Sequence, residues 1–186
     1  MLKRAQFTGI ALILVSAITM LTNPAAIRPA WADELDDDAA AALRSLYEGS
    51  PAARVLGEKA VGILVFPNIV KAGFLFGAQF GEGTLFRGGR KVANYRSVAA
   101  SYGFQAGVQA FGYAMFLMTN AAIDYLDKSG GWEVGVGPSI VVVDTGVARN
   151  LTTTTIQSDV YAFVFDQRGL MGGIGIQGSK ITRVNH

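Results

Sequence analysis

Cysteine is absent from the 186-residue chain, and its one histidine, His186, is the last residue. There is therefore no disulfide, no thiolate metal site, no cysteine nucleophile and no cysteine to carry a lipid at a mature N-terminus. A Ser-His-Asp triad and a multi-histidine zinc site are excluded with the histidines. Charge is scarce as well. Asp, Glu, Lys and Arg make up 16% of the residues against 51% hydrophobic ones, the reverse of a disordered chain. The length suits one ordinary domain with a real core. These absences describe a binding or structural domain, not an enzyme, with no cofactor and no metal expected.

The first 32 residues read as a targeting segment. Lys3 and Arg4 precede a twelve-residue stretch, Ile10 to Leu21, that is apolar except for Ser16 and Thr19, and Ala30-Trp31-Ala32 has small residues where a signal peptidase reads. The run is short for a membrane span, which takes about 20 residues; retention as an N-terminal anchor is the alternative. Cleavage after Ala32 leaves residues 33–186 as a single domain with 13 basic and 14 acidic residues. The basic character of the whole chain thus belongs largely to the segment removed and gives no argument for nucleic acid. The expected location is outside the cytoplasm: periplasmic, envelope-associated or secreted.

The domain opens acidic and helical. Asp33, Glu34, Asp36, Asp37 and Asp38 are placed before or within a first turn, where negative charge suits the helix dipole. Leu35, Ala39, Ala42, Leu43, Leu46 and Tyr47 form an apolar stripe at helical spacing. Three successive Asp fan around a helix axis, which favours a solvated helix start over a cation site. Gly49 ends this helix, and Ser50-Pro51 starts a second as N-cap and first helical residue.

From Val61 the period changes to two. Val61 to Phe66 reads as a buried strand closed by Pro67. Phe74, Phe76, Ala78 and Phe80 then alternate with Gly73, Leu75, Gly77, Gln79 and Gly81. The same division recurs at residues 102–110 and 173–177, so the sheet has one bulky apolar face and one face of Gly and Gln. Of 23 glycines, 22 follow residue 32, and glycine within strands marks tight curvature or close backbone approach. The fold expected is β-rich α+β: a strongly curled antiparallel sheet closing on itself, with the N-terminal helices and one intervening helix, Asn120 to Asp127, packed on it. Further strands are expected at Trp132–Val136, Ile140–Val143, Thr155–Phe165 and Leu170–Gln177.

Two nucleotide motifs fail on context. Gly173 to Gly178 fits G-x-G-x-x-G, but only eight residues follow and none is acidic, so no βαβ unit can be built. Gly173 to Lys180 ends Gly-Ser-Lys where a P-loop needs Gly-Lys-Ser/Thr. Ser101 and Ser179 have no spacing to a lysine that supports hydrolysis. Asn150-Leu151-Thr152 matches a glycosylation sequon, a short motif of little weight.

Phe66-Pro67, Gly73-Phe74, Gly77 and Gly81, then Gly103, Gln105 and Gly107, and later Gly137-Pro138, Tyr161 and Gly169 together resemble the landmarks of a SYLF domain. The resemblance runs from about Leu43 to Val184. It implies a non-catalytic lipid-binding module. Eukaryotic relatives bind phosphoinositides, some also actin; bacterial relatives are exported proteins commonly described as lipid-binding. The acidic start, Asp33 to Asp38, departs from the basic segment by which eukaryotic relatives engage membranes, and an exported domain makes actin an unexpected partner. The partner expected is anionic phospholipid or a membrane surface; nucleotide and nucleic acid are not.

Candidate headgroup ligands are Arg54 and Lys59 on the second helix, Lys71 after the Phe-Pro corner, and Arg87, Arg90 and Lys91 around Gly88-Gly89, since arginine offers phosphate a fork and lysine a point charge. A curled sheet lined by Phe74, Phe76, Phe80, Phe104, Phe111, Tyr113, Met115, Phe116 and Met118 is the second route, enclosing an acyl chain; plain core is the alternative. Three readings stand at this point: an exported lipid or membrane-surface binder, an envelope structural or interaction protein with incidental lipid affinity, and a small outer-membrane barrel.

Overall fold

The structure is a computed structural model; it describes residues 30–74, 76–102, 107–128, 131–134, 136–144, 148, 151–152, 154–169 and 178–184. Two helices come first, α1 (Ala30–Gly49) and α2 (Pro51–Lys59), then β1 (Gly62–Gly73), β2 (Phe76–Arg87), β3 (Arg90–Tyr102) and β4 (Gly107–Leu117). A short helix, α3 (Asn120–Leu126), is followed by β5 (Trp132–Glu133), β6 (Ile140–Val142), β7 (Val160–Gly169) and β8 (Lys180–Val184). The caps are the expected ones. Ser50 Oγ accepts from the Ala53 amide at 3.2 Å, with Pro51 next in line, and Thr119 Oγ1 accepts from the Ala122 amide at 3.2 Å.

All eight strands form one sheet in the order β5-β8-β3-β2-β1-β4-β7-β6. Every pairing is antiparallel except β6 with β7. Among the described residues the sheet is a half-barrel that ends at two very short edge strands, β5 and β6, and short edges limit strand-to-strand association.

One end of the sheet is covered on both faces. Leu64, Phe66, Leu85, Tyr95, Tyr113 and Met115 point to an inner face and pack with Ile123 and Leu126 of α3 and with Trp132. Their neighbours Val65, Ala114, Phe116, Tyr161 and Phe163 point outward and pack under Ala39 and Leu46 of α1 and Ala53 and Leu56 of α2. Burial on both faces explains why residues 63–66, 113–117 and 160–163 are continuous apolar runs. Phe66 stacks on Tyr113 with centroids 6.1 Å apart. On the inner side α3 is tied down where Tyr95 donates to Asp127 at 2.5 Å and Arg183 pairs with the same carboxylate at 3.3 Å.

Several boundaries differ from the sequence reading. Pro67 does not close β1. The strand continues to Gly73 through a β-bulge between Val65 and Asn68, and a bulge is where a strand accommodates a residue without an amide proton. β7 runs from residue 160 to 169, later than expected, and β8 was not foreseen. The Leu170–Gln177 strand falls outside the described residues. α1 begins at Ala30, so Asp36 to Asp38 lie beyond its first turn. Close backbone approach does govern the glycines of β2. A side chain at Gly83 would begin 2.5 Å from the Val65 carbonyl and 2.6 Å from the Phe66 ring, and one at Gly81 would begin 2.7 Å from Ile69.

Candidate functional site

Toward the other end of β1–β4 the faces are used the opposite way from the sequence reading. Cross-strand partners share a face, so the register Phe80↔Val70 and Phe80↔Val98, with Ala72↔Ala78 and Ala72↔Val108, defines one outward surface. No helix among the described residues covers it there. Phe76 is 73% exposed, Phe74 in the β1–β2 turn 66%, Val108 60%, and Phe80, Val98 and Val70 between 49% and 40%. The inner side of this region alternates glycine with Lys71, Gln79 and Gln109. Six large apolar side chains on one uncovered sheet face are more than soluble surfaces ordinarily carry together.

Cations border this surface on both sides. Arg96 places its guanidinium 5.5 Å from the Phe80 ring and pairs with Glu82 at 2.9 Å. Lys180 on β8 lies directly across from Val98, and Arg168 on β7 directly across from Ala110. All three are exposed. Sequence reasoning missed them because only the strand register shows that they flank the phenylalanines. The nearest available signal was the period-two relation of Arg96 to Val98.

The inner face of the same region is polar and buried. Gln79, Lys71 and Gln109 form a row across β2, β1 and β4, each less than a tenth exposed. Gln79 Nε2, Gln109 Oε1 and the Tyr113 hydroxyl have no hydrogen-bond partner among the described residues, and burial pushes Tyr113 ionisation above the ordinary tyrosine range. Next to this row Gly77, Gly73 and Gly107 lie side by side on the three strands, and Gly169 pairs with Gln109. Gly137 and Pro138 follow β5, and the Tyr161 hydroxyl accepts from the Gln157 and Ser158 amides at 3.1 and 3.3 Å. Gly103 and Gln105 lie outside the described residues.

The six cations singled out from sequence do not form one cluster. Lys71 is on the buried inner row. Lys91 is ion-paired with Asp36 of α1. Arg54 is exposed on α2. Lys59, Arg87 and Arg90 are exposed and line neither cavity. A 450 Å³ pocket lies between α1, α2 and the sheet near the β2–β3 turn, lined among others by Leu43, Arg44, Tyr47, Ile63 and Phe86. Arg87 donates to the Val61 carbonyl at 3.3 Å and to Asn120 at 3.2 Å. Tyr47 lies against Gly57, where any side chain would collide with its hydroxyl, and burial raises the Tyr47 pKa. A larger cleft of 700 Å³ lies between the α1–α2 junction and residues 142–144 and 163–167.

The acyl-chain lining expected from sequence is divided. Phe74, Phe76 and Phe80 are on the open outer surface; Phe111, Tyr113 and Met115 are in the inner core and Phe116 in the outer one, all fully buried; Met118 is half-buried against the outer core. Phe104 lies outside the described residues. Asp36, Asp37 and Asp38 diverge: Asp36 turns to the sheet, where it accepts from Thr84 at 2.9 Å and Asn94 at 3.0 Å, and the other two are exposed. No three acidic or histidine side chains converge on a metal-sized site among the described residues, and no helix among them is long and apolar enough to cross a membrane.

Comparison with known proteins gives one family. Residues 98–186 match the Ysc84 family, described as Las17-binding protein actin regulator. The matched segment spans the end of β3 through β8 and includes Val98, Val108, Arg168 and Lys180. No curated protein matches the chain.

Proposed function

We propose that this chain binds anionic phospholipid surfaces through the open outer face of β1–β4, since residues 98–186 match the Ysc84 (SYLF) family, a family associated with lipid binding and with non-catalytic modules. The observation that carries the reading is the uncovered apolar surface of Phe74, Phe76, Phe80, Val70, Val98 and Val108. Burying a phenylalanine is worth roughly 1.5–3 kcal/mol, and a phenylalanine-bearing turn is suited to the headgroup–acyl boundary. Arg96, Lys180 and Arg168 then lie where phosphates would be, each adding about 1 kcal/mol near an anionic surface. The contact requires no chemistry from the protein. The N-terminal segment directs it, in this reading, to the cell envelope or beyond.

Vesicle co-sedimentation tests the proposal. The full chain and residues 33–186 are compared in parallel, so that the apolar stretch at residues 10–21 is controlled. Binding to anionic vesicles is expected to exceed binding to neutral ones, to weaken with salt, and to fall at least tenfold in Phe76→Asp with the fold intact by circular dichroism. Equal binding by Phe76→Asp would overturn the assigned surface. Absence of vesicle binding by the folded chain would move the same apolar face to a protein partner.

A further inference from the structure

We infer that Glu82 sets how anionic a surface must be before the open face engages it: its carboxylate holds Arg96 in the free protein, and a lipid phosphate takes its place on binding. The inference rests on the reading of the β1–β4 face as the lipid contact and names the residue that tunes that contact.

Between Glu58 and Asp124 the chain has one acid, Glu82. The fold puts it on the outer face. It is two residues from Phe80 on β2 and directly across from Arg96 on β3, and cross-strand partners share a face. Two residues further along the same strands, Thr84 and Asn94 bond to Asp36 of α1. The pair therefore lies at the boundary where the helix cover ends and the open phenylalanine surface begins. Headgroups would meet the protein at that level.

The geometry ties this acid to a cation that the surface needs. Glu82 Oε1 accepts from Arg96 Nε at 3.2 Å and from Nη2 at 2.9 Å, so two N–H donors of the guanidinium are committed to it. The guanidinium carbon is also 5.5 Å from the centre of the Phe80 ring, which keeps the charge against the apolar surface. Both members reach water, Arg96 at 46% exposure and Glu82 at 25%. An ion pair so exposed contributes little to stability, and phosphate fits the guanidinium fork as carboxylate does. A densely anionic surface can therefore exchange one anion for the other. On a sparsely charged surface Glu82 keeps its hold, and Arg96 adds little attraction. Among the described residues, Arg96 is the one cation bordering this face that is held in an ion pair.

The experiment is vesicle co-sedimentation of the full chain over a series of anionic lipid fractions, with a second readout on Arg96 itself. Glu82→Gln should reach half-maximal binding at about half the anionic fraction the parent needs, or less. Glu133→Gln removes the same charge from the position directly across from Lys180 and should move the midpoint far less. In a nitrogen-edited NMR spectrum the Arg96 Nε–H signal of the parent should shift on addition of dihexanoyl phosphatidylglycerol below its micelle-forming concentration, because phosphate replaces the carboxylate there. An unchanged midpoint in Glu82→Gln, an equal shift in Glu133→Gln, or an Arg96 signal that stays in place while lipid binds overturns the inference. Phe76→Asp separates this outcome from failure of the underlying reading. If Phe76→Asp binds vesicles as the parent does, the open face is the wrong surface and both fall. If it loses binding while Glu82→Gln matches the parent, the face stands and the role of Glu82 falls.

Discussion

Asp36 shows how one residue sets the position of a helix. Burial alone would raise its pKa, but hydrogen bonds from Lys91, Asn94 and Thr84, together with the Lys91 charge, outweigh this and hold the carboxyl below its ordinary value. A carboxyl with a lowered folded pKa contributes stability above its unfolded pKa, and that contribution is lost as pH falls from about 4 toward the folded value. Hydrogen bonds to charged groups are worth about 1.5–3 kcal/mol. Asp36→Ala should therefore unfold more easily than the parent in urea at pH 7, by about that amount, and the gap should shrink at pH 3. A constant gap would place the loss in packing instead of charge. None of this was legible in the sequence. Asp36 stands in a run of acids whose other members face solvent, and its three partners lie about 50 residues or more away, on two strands whose register only the fold supplies.

Elements signalled by local chemistry were legible, and those fixed by distant pairing were not. The Ser50-Pro51 start of α2 and the Thr119 cap of α3 are short-range hydrogen bonds that a sequence displays directly. The period-two division of residues 73–81 was also readable, but not which side would be buried. Alternation says that two faces differ, and only the curl of the whole sheet decides which of them is enclosed. Pro67 misled for a related reason, since a bulge is a property of two strands. Tight inner packing at Gly83 makes a prediction for β2. At Gly83 a new methyl would meet a carbonyl oxygen and an aromatic ring, both held by the core. Relief needs backbone movement, so Gly83→Ala should cost about 1–3 kcal/mol, read as a lowered urea midpoint with unchanged slope. Ala at the exposed Gly49, which has nothing within 4 Å, is the control and should cost far less.

At the scale of the whole molecule the sheet is unevenly supported. One end is held between α1 and α2 on the outer face and α3 on the inner; the other, where Phe74 and Phe76 sit, has no helix among the described residues on its outer face. Segments with fewer packed apolar neighbours open at lower free energy. Amides of residues 70–73, 77–80 and 107–110 should then exchange hydrogen faster than those of 63–66 and 113–117, although both sets belong to the same ladders. Anionic vesicles should slow the first group, because a membrane supplies the cover that the fold omits there. Unchanged exchange in the first group on vesicle addition, with vesicle binding present, would place the lipid contact elsewhere on the molecule.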